Sequence, residues 1–501
     1  MASWQFALII MCGYLILALA IGIMAGRGRG GSLDEFAVAD RNLSLLVTWF
    51  LMGGAVFSAF SFLGAPGWAY SRGGPAFYIL VYTAFAILPW YIVGPKVGRI
   101  GRAFRLYSLV GFLQQRFPSK ALGVLVGIIV LFASIQYLAT QMKGMAYIFH
   151  IMTEGQIPFW LGALAAYAIV VIYVATGGLR AAAWSDVFQG LLMILISWGV
   201  GLAIVFQLHD SLPALFEQVA EKKPGFLLIG KEGSTMSPVA YTTTILVSAI
   251  GFLMWPHLFS KSFSSPAGTI KRTVIAYPIF ALFLVPLLLV GFAAIGVVAP
   301  HELDNPDEVF PYLITQVLSF PGWLYGLVGA GALAAAMSSA DVITHSASLE
   351  FTDGVVRNIR RDLSDQTVLR IMRLSVIGIG ALAYLVTVFG GQGLIALLLG
   401  AYGSIVQFAP AVYSALYWKR ATPVGILAGL IIGTATNFYY QIIHPVPPFE
   451  IHAGIVGLIL NLGVMVTVSL LPRPQDESHW REYLHAPAGN RASKQRNTSA
   501  F

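Results

Sequence analysis

The 501-residue chain is poor in charge and has a single cysteine. Only 10% of its residues are Asp, Glu, Lys or Arg, where soluble domains carry about 25%. A soluble protein of this length would lack the polar surface to stay in solution. A string of about three soluble domains is therefore excluded in favour of one integral membrane domain. The lone Cys12 excludes an intramolecular disulfide. No P-loop pattern occurs, so ATP is not the energy source. No group of Cys, His and carboxylates has metal-site spacing, and Gly177-Gly178 reads as an inter-span turn rather than a dinucleotide loop. With no such motif, no enzymatic activity is expected.

What is present is apolar sequence in long runs, 57% of the chain. A helical span needs about 20 such residues. Thirteen candidates emerge: 4–26, 44–70, 74–98, 120–149, 158–178, 181–208, 240–262, 271–299, 320–350, 371–390, 392–418, 421–443 and 451–472. The runs are continuous rather than alternating, which selects helices over barrel strands. The first run is too long for a signal-peptide core and lacks a basic stretch before it, so it is expected to remain as a span.

The net charge of +8 suggests topology, not nucleic acid. With the N-terminus outside, thirteen spans put about 25 of the 30 Lys and Arg residues on the inner side, as the positive-inside rule predicts. Arg72, Lys222, Lys223 and Lys231 stay outside, and Lys143 alone falls within a span away from its ends. The expected location is a plasma membrane, a bacterial inner membrane, with the C-terminus cytoplasmic. The polar tail after Pro474 is expected to be disordered, with no catalytic or signalling module attached.

Some residues suggest chemistry by themselves. Gly53 and Gly54 are adjacent near the middle of the second span, and each costs a helix about 1 kcal/mol relative to alanine. An unwound turn there would free carbonyls that cannot face lipid but can coordinate an ion; close helix packing is the alternative. Ser338 and Ser339 are neighbours on the ninth span, one turn after the Ala335 carbonyl, so three oxygens could converge. Otherwise each serine bonds back to a carbonyl of its own helix. Asp341 lies near the Ser338 face and could bias a cation site or make a structural hydrogen bond. Asp186 opens the sixth span, as a pathway acid or as a first-turn residue favoured by the helix dipole. Lys143 could attract a carboxylate or snorkel to the outer interface. In Trp255-Pro256-His257, proline removes a backbone donor and marks a second candidate break. His257 could contact substrate or cap the kink. Gln141, Tyr137 and Trp255 are further cavity candidates.

Four stretches resemble the sodium/solute symporter family, which includes bacterial proline, pantothenate and monocarboxylate transporters and animal sodium–glucose cotransporters. They are Gly53 to Gly67, Tyr173 to Ala181, Trp184 to Gln189 and Ala334 to Asp341. They occur in family order and the resemblance covers nearly the whole chain except the tail. It implies an all-α, LeuT-type fold of two inverted five-helix repeats, with the first helix of each broken at mid-membrane. The expected divisions are a first span and loop at 1–43, repeats at 44–208 and 240–418, an extracellular loop at 209–239, two further spans at 419–474 and the tail at 475–501. The resemblance also implies a sodium site formed by Gly54, Phe57, Ala335, Ser338 and Ser339. Phenylalanine at 57 departs from the commoner pattern, which a backbone ligand tolerates. Asp186 matches a family aspartate associated with the inner cation pathway, and Asp341 is assigned to the same pathway.

The expected function is sodium-coupled import of a small organic solute. Lys143 and the Trp255-Pro256-His257 stretch favour an organic anion such as a monocarboxylate or pantothenate. An amino acid such as proline, or a sugar, is the alternative. A transport-inactive sensor on the same fold is the rival of another class, and the missing kinase module counts against it. The expected partners are sodium, the solute and the lipid bilayer, without nucleic acid. Oligomeric state, stoichiometry and proton-for-sodium coupling are left open.

Overall fold

The computed structural model describes residues 2–27, 31–231, 234–318, 320–360, 362–391, 394–471, 480–481 and 483. These are helical almost throughout, with one isolated bridge between Ile295 and Val298 as the only β-type pairing among the described residues. The all-α polytopic class expected from the sequence is the fold observed. Helix starts follow local chemistry. Ser44, Ser119, Ser237, Ser364 and Thr422 each accept a hydrogen bond from an amide of the first turn, a cap that contributes about 1 kcal/mol. Proline occupies the first turn at Pro238 and Pro423, where its missing N–H costs nothing.

Among the described residues nine helices are long and apolar enough to cross a membrane, or eleven if each of two bent pairs is one span. The difference from thirteen has two physical sources. The second span is broken, leaving a short Leu45–Gly54 helix. The expected fifth and sixth spans run together as Phe159–Leu208, divided at Gly178, which takes φ +58 and ψ −147. Only glycine occupies that backbone region readily. A Cβ at Gly178 would also lie 2.6 Å from the Phe36 carbonyl oxygen, on the short Leu33–Val38 helix. A further bend, 51°, separates Gly74–Phe85 from Trp90–Ala103 at Pro89; it interrupts the expected 74–98 span.

The Gly322–Ile359 helix is the axis of the molecule. Its apolar window is 94% buried, against 33% for Ser3–Gly26, Asp365–Phe389 and Ala453–Leu470. Small residues permit this. A Cβ at Gly326 would lie 2.7 Å from Ile10, and one at Gly331 would lie 2.8 Å from Ile196. Lipid tails supply no hydrophobic drive between helices, so close backbone approach and dispersion hold them together. Near the C-terminal end of this helix, the Glu350 carboxylate accepts from the backbone N–H groups of Leu109 (2.6 Å) and Val110 (2.9 Å). This caps the Leu109–Arg116 helix and ties the axis to the segment between the third and fourth spans.

The expected disordered tail, 475–501, lies outside the described residues except for Trp480, Arg481 and Tyr483. Tyr483 is buried between Phe104 and Phe112, with ring centroids 6.1 and 5.7 Å away.

Candidate functional site

Two interruptions of helix bring the candidate residues together. Leu45–Gly54 stops at Gly54, and a π-helical turn resumes at Phe60–Gly64. In a continuous helix the Gly54 carbonyl would bond to the amide four residues on. Here it accepts instead from Ser339 Oγ at 2.8 Å and Ser338 Oγ at 3.1 Å. Ser338 Oγ also lies 3.1 Å from the Ala335 carbonyl. Four of the five expected oxygen donors, from Gly54, Ala335, Ser338 and Ser339, thus converge across 284 residues of sequence. These serines bond to Gly54 and Ala335 but not to Phe57. Phe57 anchors the break through its ring, 4.8 Å from Phe280 and 5.2 Å from Phe283.

The freed backbone of the break is satisfied from the Lys120–Met152 helix. Tyr137 donates its hydroxyl to the Ala55 carbonyl at 3.4 Å, and Gln141 Oε1 accepts from the Ala59 amide at 3.0 Å. The second interruption follows Pro238–Gly251. A 3-10 turn at Phe252–Met254 leads to Trp255 in extended geometry, and Pro256 starts the next helix. The residue before a proline is driven out of helical geometry, and the axis bends by 50°.

Tyr137 links the first interruption to an aromatic cluster at the second. The Tyr137 ring lies 4.9 Å from Trp255 and 5.8 Å from His257, and Trp255 lies 5.4 Å from His257. Tyr402 stands edge-on to Trp255 at 5.5 Å and to Tyr82 at 6.0 Å. All five are buried. The sequence reading missed Tyr402 and Tyr82, because nothing in an apolar run shows which tyrosine faces inward. Lys143 lies on the same helix as Tyr137. It is buried two turns beyond Tyr137, within electrostatic reach of Asp307. Asp307 Oδ2 accepts from the Leu394 amide at 3.0 Å.

Asp186 and Asp341 lie beside the serine site. Asp186 is fully buried, and a Cβ at Gly54 would be 3.3 Å from its carboxyl carbon. Among the described residues neither Asp186 oxygen accepts a hydrogen bond. Asp341 Oδ2 accepts from the Tyr173 hydroxyl at 2.8 Å. One charge was misread: Lys261, counted from sequence as an inner-loop cation, is 3% exposed within the second broken helix. Lys143 is therefore not alone as a buried intramembrane lysine. The basic loop pattern around 261–272 hid it, because that pattern reports sidedness and not depth.

A helical chain with two mid-membrane interruptions, a carbonyl met by two serines, and an aromatic pocket at the second interruption has the architecture of a solute carrier. The sodium:solute symporter family model matches residues 36–433. The chain belongs to the sodium:solute symporter family. An uncharacterized symporter of Bacillus subtilis, YhjB, is 31% identical over 483 residues, covering 93% of this chain and 97% of that one. A monocarboxylate transport permease of Rhizobium johnstonii is 27% identical over 495 residues, covering 93% and 96%. The fold is also that of a Na+-coupled sialic acid symporter solved in a substrate-bound, outward-open state (TM-score 0.75, 18% identity, covering 94% and 99%). This symporter family member is thus a multi-pass membrane transporter that uses sodium to move a small solute, and not an enzyme.

Proposed function

We propose that the chain imports a small organic anion with sodium, and that sodium is held by the oxygens of Gly54, Ala335, Ser338 and Ser339, with the Phe57 carbonyl as fifth ligand. The observation that carries the cation reading is the Gly54 carbonyl facing both serine hydroxyls at 2.8 and 3.1 Å. Sodium is a hard cation and favours neutral oxygens. Each hydroxyl now donates to the carbonyl, and a rotation would turn its lone pairs to an ion instead.

The solute reading rests on the Tyr137, Trp255 and His257 cluster. Aromatic faces suit an apolar body, and the imidazole offers a polar contact for a carboxylate. Lys143, nearer the outer side, supports the capture of an anion in exchange for Asp307. The name of the Rhizobium relative points the same way. Sodium joins the two interruptions in the outward-open state, solute completes the pocket, and the broken helices then rock to open inward, the N-terminus lying outside and the C-terminus inside. The membrane potential drives entry with about 2.3 kcal/mol per charge per 100 mV.

Uptake into proteoliposomes tests this. Accumulation of a labelled monocarboxylate above its external concentration, with sodium outside and not with choline, is the expected result. Sodium-driven accumulation of proline or glucose with none of any monocarboxylate or pantothenate would overturn the anion assignment. Thermal stabilisation of the purified protein by carboxylates, amino acids and sugars, with and without sodium, ranks the solutes.

A further inference from the structure

Two carboxylates and one ammonium group share the dry region beside Gly54. Asp186 and Asp341 are fully buried and Lys261 nearly so. Among the described residues neither Asp186 oxygen accepts a hydrogen bond, whereas Asp341 is held on Oδ2 by the Tyr173 hydroxyl. An unbonded ionised carboxylate in a low-dielectric interior is costly, and a nearby positive charge offsets that cost. Lys261 is within electrostatic reach of both carboxylates. It stands off nevertheless, since none of the ion pairs closer than 4.0 Å among the described residues involves it. With all three groups ionised, the cluster carries a net charge of −1.

The position of Lys261 adds a mechanical link. It reaches this region from the inner half of the second broken helix, one turn after His257. It lines a narrow cleft together with Thr48 and Met52, which belong to the helix that ends at Gly54. The same short stretch of chain therefore carries Trp255 and His257 in the aromatic pocket and, at Lys261, an ammonium group in a cleft shared with the helix that ends at Gly54.

We propose that Lys261 is the tethered counter-cation of the Gly54–Ser338–Ser339 site: it offsets one of Asp186 and Asp341, leaves the other's charge to attract a single sodium ion, and ties sodium affinity to the position of the second broken helix. The inference rests on the sodium reading of that site. Solute that draws Trp255 and His257 into place sets the distance of Lys261 from the carboxylates, so solute and sodium alter each other's affinity by the same factor. Movement of the ammonium group toward the carboxylates lowers sodium affinity and favours release.

The test compares Lys261→Met with Lys261→Arg at constant ionic strength, reading sodium binding to the purified protein from tryptophan fluorescence and turnover in proteoliposomes. At an effective dielectric of about 20, loss of one nearby charge is worth roughly tenfold or more in cation affinity. Lys261→Met is expected to lower half-saturating sodium by about tenfold and to slow turnover, because sodium leaves late. Lys261→Arg is expected to stay within about twofold of wild type. Unchanged or weaker sodium binding by folded Lys261→Met overturns the proposal. If that variant does not fold, the charge-balanced Lys261→Met/Asp186→Asn protein is expected to fold, and its failure would mean that the lysine serves packing alone. Ser339→Ala run in parallel separates the two readings. A shift there with none in Lys261→Met removes the lysine, while no shift in Ser339→Ala removes the site itself.

Discussion

Ser339→Ala removes one oxygen from the junction of the first break with the axial helix, and the structure sets how much should follow. Ser339 Oγ is 2.8 Å from the Gly54 carbonyl, which keeps a second donor, Ser338 Oγ, at 3.1 Å. No buried acceptor is orphaned by the change, so the cost to folding is that of one ordinary hydrogen bond, about 0.5–1.5 kcal/mol. The cost to a bound cation is larger. Contacts between polar groups and charged ones are worth about 1.5–3 kcal/mol, which is about 10- to 150-fold in half-saturating sodium. The assay is initial uptake against sodium concentration, with choline replacing sodium to hold ionic strength, alongside thermal melting of the purified protein with and without sodium. The sodium curve should move right by at least tenfold while the sodium-free melt changes by only a few degrees. A half-saturation within about threefold of wild type, with transport intact, would refute the argument.

Other perturbations test the frame around the site. Burial raises the Asp307 carboxyl, outside the spanning segments, from its ordinary 3.8 to about 6, against the Leu394 amide and Lys143, which lower it. A raised carboxyl stabilises the folded loop most below 3.8, and that contribution is lost as pH rises through 6. Amide exchange in 304–312, corrected for its intrinsic pH dependence, should thus be better protected at pH 5 than at pH 7.5. Asp307→Asn, which keeps an acceptor for Leu394, should reduce that difference; Glu308, raised to about 7, supplies the remainder. Gly178→Ala must place a side chain at φ +58 and 2.6 Å from the Phe36 carbonyl. It should destabilise by about 2 kcal/mol or more and melt several degrees lower, whereas Gly268→Ala, with nothing within 4 Å, should not. Tyr483→Ala empties the space between Phe104 and Phe112, a loss of about 1.5–3 kcal/mol of local burial. Limited proteolysis near 483 should become faster while uptake persists.

The breaks and the serine pair were legible because each is a statement about a few adjacent residues. Gly53-Gly54 weakens a helix wherever it lies, Pro256 forbids helical geometry at Trp255, and Ser338-Ser339 after Ala335 presents oxygens on neighbouring faces of one turn. Pro89 carried the same kind of signal for the bend after Phe85, hidden only because the apolar run around it is unbroken. Lys261 was not legible in this way. Depth depends on what packs around a residue, and a lysine three residues before a serine-rich turn looks the same in a loop as in a helix core. Phe57 shows the converse: its identity is explained by a stack with Phe280 and Phe283, over 200 residues away.

By itself the amino-acid sequence determined the solvent, the helical class, the family and the two breaks at Gly53-Gly54 and Trp255-Pro256. Those follow from composition and from backbone chemistry that acts over a turn or less. Tertiary structure alone decided that the Gly54 carbonyl meets Ser338 and Ser339, that Tyr137 and Gln141 serve the backbone of the first break, and that Lys261 is buried within electrostatic reach of Asp186 and Asp341. Such meetings depend on how distant helices dock, and docking in a membrane is set by the summed close packing of small residues along a central helix, which no local stretch of sequence contains.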